Sequence, residues 1–463
     1  MPAAPYLGSP RSKSLTLIAT SLGFAVVQLD VTIVNTALNA ISSALGGGVV
    51  ALQWIVSTYT ITFASFILTA GALGDRLGSK RIFIAGFAIF TIASLACAIA
   101  PNLPILIAAR AVQGIGAAIL VPNSLAVLNH AHRDEKERAR AVGIWAAGAS
   151  FSITAGPLAG GALIAAFGWR SIFLVNLPVG LVGLWLAWQH VAETPSSRKR
   201  ALDLPGQALA ILGLGSLAAA MIEGGAVGWT NRWVIASFAT FVVLLILFLS
   251  TERRARDPML PLSLFSRRRF TITSVVGLLV NVACYGLIFV LSLYFQRENG
   301  YTALETGLAF APMMIAVFIA NLAAARLAAR YGARITIGAG AALAALSCAA
   351  LLGIGRGTPY AFICAQFIAL GLGLGVLVPP LTSMLLGSVE KARSGVASGA
   401  LNSARQTGSV IGVSLFGSLI GGSLGLVSGT RWALSISIAL LAGACVAMLV
   451  GDNRDARVAS RAR

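Results

Sequence analysis

Runs of about twenty apolar residues recur along this chain, each ended by a charged run or a Pro/Gly cluster, and each long enough to cross the roughly 30 Å core of a bilayer as a helix. Cutting at every interruption predicts fourteen spans: 14–37, 50–73, 82–100, 104–128, 141–166, 170–191, 204–223, 232–250, 271–295, 304–325, 335–355, 359–386, 394–421 and 432–450. Of the 463 residues 57% are hydrophobic and only 11% charged, which excludes a soluble fold. The net charge of +19 would mark a nucleic-acid binder in a polar chain. Here the basic residues form short runs between apolar segments, so no nucleic-acid partner is expected. The five cysteines fall inside apolar segments without CxxC spacing or a histidine partner, and read as small core hydrophobes rather than disulfides or a metal site. Arg11 and Lys13 precede the first span as in a signal peptide, but its apolar run is too long and contains Asp30, so a retained helix is expected.

Positive loops stay cytoplasmic. With the N-terminus inside, 27 of the 34 Lys and Arg fall on the inner side, Arg170, Arg232, Arg297, Arg356 and Arg431 face out, and Arg110 and Arg405 lie within spans. Both termini are therefore expected in the cytoplasm, in keeping with an even number of spans.

The sequence also repeats itself. Gly71-Ala-Leu73-Gly-Asp75-Arg76-Leu-Gly78-Ser-Lys80 follows span 2, and Ala325-Arg-Leu327-Ala-Ala329-Arg330-Tyr-Gly332-Ala-Arg334 follows span 10 at the same spacing. Span 4 carries Val121-Pro122 and span 12 carries Val378-Pro379. The expected architecture is an all-α membrane protein of two six-helix units, residues 1–191 and 271–450, rocking about a central site. Residues 192–270 supply an inserted two-helix hairpin with charged linkers, and 451–463 form a basic cytoplasmic tail.

With its motifs in place, the sequence resembles the major facilitator superfamily, and within it the fourteen-helix drug:proton antiporters. Leu29-Asp30-Val-Thr32-Ile-Val-Asn35-Thr-Ala37-Leu38 resembles their first-helix motif, with Asn39 where they usually have proline. Gly71 to Arg81 is similar to the loop motif after helix 2, Arg110 with Gln113-Gly114-Ile-Gly116 to the helix 4 motif, and Gly148 with Gly156-Pro157-Leu-Ala-Gly160-Gly161 to the helix 5 antiporter motif. Trp169-Arg170, Phe173, Asn176 and Pro178 resemble the segment opening helix 6. The resemblance implies a bacterial cytoplasmic-membrane exporter of lipophilic drugs, working as a monomer among membrane lipids, driven by protons without a cofactor.

Physical readings accompany each motif. Gly71, Gly74 and Gly78 permit a sharp turn and close helix approach, while Asp75, Arg76, Lys80 and Arg81 can make charge-assisted contacts at a cytoplasmic gate or stand as a solvated positive turn. The second copy has Ala329 where Asp75 stands, so a latch there would be asymmetric. In span 5 the small residues and Pro157 allow close packing and a kink, with or without a role in antiport.

Ionisable groups at membrane depth are costly, and of the 15 acids only Asp30 lies well inside a span. Counted from the predicted ends, Asp30 and Arg110 share a depth of roughly 10 Å and can meet. The pair is then either structural, because burying one charge alone is costly, or a carboxylate for which proton and substrate compete. Arg405 has no acid at its depth and is expected either to bond carbonyls across the two halves or to contact substrate directly as a further cavity candidate. One acid against two arginines favours a monovalent lipophilic cation or a neutral amphiphile over a dication. An adaptable apolar cavity would draw on Asn35, Trp54, Tyr59, Gln113, Asn281, Tyr285, Phe310, Met313 and Met314. A membrane enzyme lacks its carboxylate or histidine constellation here, and no phosphate loop supports an ATP-driven pump. A non-transporting sensor and an exporter dedicated to one metabolite or antibiotic remain as alternatives.

Overall fold

The computed structural model describes residues 10–132, 134–194, 203–255, 257–355, 357–390, 394–422 and 425–451. The tail beyond 451 and the linker charges Arg198 to Arg200 lie outside them. Fourteen membrane-length helices make up the described chain: α1 (Pro10–Leu45), α2 (Val49–Leu77), α3 (Ser79–Ala98), α4 (Leu103–Ala131), α5 (Glu135–Phe167), α6 (Ser171–His190), α7 (Leu204–Val227), α8 (Arg232–Arg254), α9 (Arg268–Leu293), α10 (Ala303–Tyr331), α11 (Ala333–Ala350), α12 (Tyr360–Leu386), α13 (Ser394–Gly421) and α14 (Leu426–Gly451).

Thirteen are apolar enough to span a membrane on composition alone. The exception is α13, whose Ser398–Gln406 stretch is polar. It packs against α2, α7 and α9, so protein rather than lipid meets much of its polar surface.

Helix ends differ from the spans where capping outweighs hydropathy. α1 continues to Leu45 instead of stopping near 37, because nothing breaks it before Gly46 and Gly47, which turn the chain at φ +78° and +94°. α5 starts at Glu135 rather than 141, since Asp134 accepts the Glu137 N–H as N-cap and acids occupy the first turn.

The packing repeats with a shift of eight helices. α1 packs on α5 and α6, α2 on α4, and α3 on α4; likewise α9 packs on α13 and α14, α10 on α12, and α11 on α12. Between the halves, α2 meets α13 and α5 meets α10, as a twofold relation between the repeats requires. The turn glycines also correspond, Gly78 at φ +94° and Gly332 at φ +86°. The hairpin α7–α8 lies over the α2–α13 seam and touches one helix of each half through α7. Of α8, only Val234 and Glu252 are buried.

On the face remote from the chain ends, the halves are tied together. Gln53 Nε2 donates to the carbonyls of Ser414 (2.7 Å) and Val413 (3.2 Å), Ser292 Oγ donates to Asn35 O (2.7 Å), and Arg297 donates to Asn39 Oδ1 (3.2 Å) and Ser42 Oγ (3.1 Å).

Candidate functional site

The pair Asp30–Arg110 sits inside the first six-helix unit at the junction of α1, α2, α3, α4 and α6. Both residues are sealed from solvent, at 0% and 1% exposure. Arg110 Nη1 donates to Asp30 Oδ2 at 2.5 Å and to Gln113 Oε1 at 2.6 Å, and its Nε donates to Ile55 O on α2 at 3.3 Å. The remaining carboxylate oxygen, Asp30 Oδ1, accepts from Gln113 Nε2 (2.9 Å) and from Asn176 Nδ2 on α6 (3.1 Å). Both amides also donate to Ser94 Oγ on α3, at 2.9 and 3.3 Å. The Tyr59 ring lies 4.1 Å from the Arg110 guanidinium carbon, a cation–π contact in a dry setting. Four helices thus supply hydrogen-bonding side chains to one carboxylate network, and every carboxylate oxygen has a donor.

Helix geometry explains the grouping. Arg110 and Gln113 are three residues apart on α4 and share a face, so the arginine reaches the acid while the amide braces both. The longer α1 places Asp30 fifteen residues from Leu45, so the depth count made from the predicted span end does not hold; the contact is made by the long arginine side chain and by the packing of α1 on α4. Gln113, expected in the substrate cavity, instead belongs to the carboxylate's own shell. Ser94 was not singled out from the sequence, and Asn176 stood only within a motif; a polar residue in an apolar helix was the available clue to both.

The helix 5 motif forms a seam on two sides. A Cβ at Gly156 would strike Thr32 Oγ1, and one at Gly160 would strike Thr36 Oγ1, so α1 lies directly against α5. Gly161 faces the backbone of Ala303 and Leu304, and Pro157 O lies over Gly307, both on α10 of the other half. Gly148 has open space, its nearest neighbour being Ser21 at 4.0 Å.

At the loop between α2 and α3, Gly74 lies against Asn123 and Gly71 near Pro122, both on α4, while Gly78 approaches Thr194 O. Lys80 and Arg81 reach Glu193 at 3.6 and 3.8 Å, and the Lys80 N–H donates to Thr194 Oγ1 at 3.1 Å. Asp75 and Arg76 are exposed on the last turn of α2. The loop therefore grips the segment leading out of α6.

The cavity candidates make several separate contacts. Tyr59 and Tyr285 approach each other across the halves, Tyr285 packing against apolar residues of both. Asn281 donates to Gly277 O within α9. Phe310 stacks on Phe367 at 5.6 Å and Met313 packs beside it inside the second half, while Met314 O accepts from Thr154 Oγ1 of α5. Trp54 lies elsewhere, against a small apolar cluster formed by Ile61, Val410 and the hairpin residues Ala218 and Ile222. Five residues at 100° each turn it away from Tyr59. Arg405 also departs from expectation: its Nη2 donates to Thr382 Oγ1 (2.8 Å) on α12 of its own half. Ser403, two positions earlier and therefore on the opposite helix face, makes the cross-half bond instead, to Ala64 O at 3.1 Å.

Comparison with known proteins adds three findings. The sequence profile of the Major Facilitator Superfamily matches residues 20–413. The chain is 37% identical to a methylenomycin A resistance protein of Streptomyces coelicolor over 90% of this chain and 87% of that one, and 38% identical to the multidrug resistance protein Stp of Mycobacterium tuberculosis over 89% and 76%. Its fold matches the crystal structure of a D-xylose–proton symporter with a TM-score of 0.69 at 15% identity, covering 94% of this chain and 96% of that one.

Proposed function

Since the chain belongs to the major facilitator superfamily and is a multi-pass membrane transporter rather than an enzyme, we propose that it exports lipophilic monovalent cations or neutral amphiphiles in exchange for protons, by alternating access. The observation carrying this reading is the sealed Asp30–Arg110 pair with its Gln113 and Asn176 donors, beside the interface of the two halves. A carboxylate so enclosed exchanges a proton only when the helices around it part. Its occupancy is thereby linked to which face is open. With both termini in the cytoplasm, the Gln53, Ser292 and Arg297 contacts close the outer face, and the α2–α3 loop with Glu193 works at the inner one.

Relatives named for resistance to drugs and to single antibiotics support export as the direction. They equally support a transporter dedicated to one antibiotic, which would use the same coupling. Reconstituted vesicles with an imposed proton gradient, challenged with cationic, neutral and anionic compounds alongside methylenomycin A, test both readings. Proton release on adding several unrelated amphiphiles supports the multidrug reading, and release with one antibiotic alone supports the dedicated one. Substrate accumulation that ignores the proton gradient overturns the coupling.

A further inference from the structure

The polar stretch of α13 has a defined direction. At about 100° per residue, Asn402, Arg405, Gln406 and Ser409 fall on one face of the helix, about 100° wide. To one side of that face α13 meets α2 of the first half, where Gly399 lies against Leu68, Ser403 Oγ donates to Ala64 O, and the Ser57 and Ser414 hydroxyls are 3.4 Å apart. To the other side it meets α9, where Gly408 lies against Leu278 O and Gly412 against Val282 O. The hairpin covers the back, with Ser418 against Gly225 of α7. The polar face therefore looks away from the hairpin, between α2 of the first half and α9 of the second, into the space that the two halves enclose.

The groups on this face are incompletely bonded. Arg405 stands near the middle of α13, half-buried, and a Cβ at Gly277 of α9 would lie 3.8 Å from its Cγ. Its Nη2 donates to Thr382 Oγ1 at 2.8 Å, and among the described residues no carboxylate pairs with it. A guanidinium carries five N–H donors, so most of its capacity is open. Ser409 is 1% exposed, and its hydroxyl and Gln406 Oε1 are both buried without a hydrogen-bond partner among the described residues. Asp30 offers this face no compensating charge, because Arg110, Gln113 and Asn176 occupy both of its oxygens inside the first half.

We propose that the Arg405, Gln406 and Ser409 face of α13 holds the polar head of the substrate, and that this head is uncharged and carries both an acceptor oxygen and an N–H or O–H donor. The inference rests on the export reading above and narrows its two substrate classes to the neutral amphiphile. Arg405 and the Ser409 hydroxyl donate to the acceptor, and Gln406 Oε1 takes the proton donor. A cation meets the unpaired guanidinium and is repelled. A carboxylate satisfies Arg405 but leaves Gln406 Oε1 facing another acceptor, so the mixed head fits the face better.

Equilibrium dialysis of the full-length protein in detergent tests this with three probes that share a naphthyl-octyl body and carry a hydroxyethyl-amide, a trimethylammonium or a carboxylate head. The amide is expected to bind about tenfold more tightly than either charged probe. Arg405→Gln should weaken the amide about tenfold and abolish the discrimination against the ammonium, whereas Arg405→Lys should still keep the ammonium out. Ser409→Ala should weaken the amide and leave the ammonium unchanged. The lysine and alanine variants keep the test decisive where Arg405→Gln lowers the yield of folded protein. An ammonium bound by the parent as tightly as the amide, or affinities that ignore Arg405 and Ser409, overturns the site and leaves the arginine a brace between α12 and α13. A carboxylate held more tightly than the amide overturns the uncharged class. Dialysis needs no gradient, so amide binding that persists while vesicles show no proton-driven efflux sinks the export reading alone, and efflux that persists with affinities indifferent to the variants sinks this site alone.

Discussion

The most completely enclosed acid among the described residues is Asp30, at 0% exposure. Asp30 is held by Arg110, Gln113 and Asn176, and removing one partner leaves the rest to bear an uncompensated charge. Arg110→Ala is therefore expected to destabilise the protein by about 3–5 kcal/mol, while the double change Asp30→Asn, Arg110→Gln costs far less, because it removes both charges and keeps hydrogen-bonding groups in place. Thermal unfolding in detergent distinguishes the two; equal losses would show that the pair does not act as a unit. Asp30→Asn alone mimics the protonated acid, and vesicles carrying it should exchange substrate down its own gradient but fail to accumulate it against one. Accumulation that persists in response to a proton gradient places coupling elsewhere. The pair was legible from sequence because charge within an apolar run is rare. Its amide and hydroxyl partners were not, since Gln113, Ser94 and Asn176 carry no charge and a lone polar residue in such a helix has many uses.

Among the elements, α5 is pressed on both sides, by α1 through Gly156 and Gly160 and by α10 through Pro157 and Gly161. Its counterpart eight helices later, α13, repeats the device with Gly408 and Gly412 against the α9 carbonyls of Leu278 and Val282. Gly160→Val should lower stability by about 1–3 kcal/mol or push α1 outward, because side chain and backbone both stand where the new atoms would go. Gly143→Ala on the same helix meets nothing within 4 Å and serves as the neutral control. Fluorescence-detected size exclusion after heating checks both, and matching melting curves would remove α5 as a close-packed seam. At the α2–α3 turn, Asp75 is exposed while Lys80 and Arg81 reach Glu193. If Asp75 latches the inner gate in another state, Asp75→Asn should slow turnover and leave substrate affinity nearly unchanged. Normal turnover at normal expression would make it a solvated turn residue.

For the whole molecule, the decisive feature is the closure of the face remote from the chain ends. Gln53 gives two bonds to α13, each worth about 1 kcal/mol, so Gln53→Leu should shift the balance of states by roughly tenfold or more away from this arrangement. Distances between spin labels placed at Ser43 and Glu298 would broaden towards longer values; an unchanged distribution would mean that the closure is carried by packing alone. If the Lys/Arg count of 27 against 5 sets the orientation, this face looks outward. A cysteine introduced at Glu193 should then react with impermeant reagent only in inside-out vesicles.

What the sequence determined by itself was set by the solvent: a chain this apolar must cross the bilayer as helices, the basic runs give an expected orientation, and a repeated loop motif reveals the two related halves. Those signals are local, carried by residues near one another along the chain. Which faces of the helices meet was decided only by tertiary packing, because almost every face here is apolar and periodicity cannot separate a lipid-facing side from a protein-facing one. That is why Trp54 turned out to lie against a cluster that includes the hairpin, and why Ser403 rather than Arg405 bridges the halves.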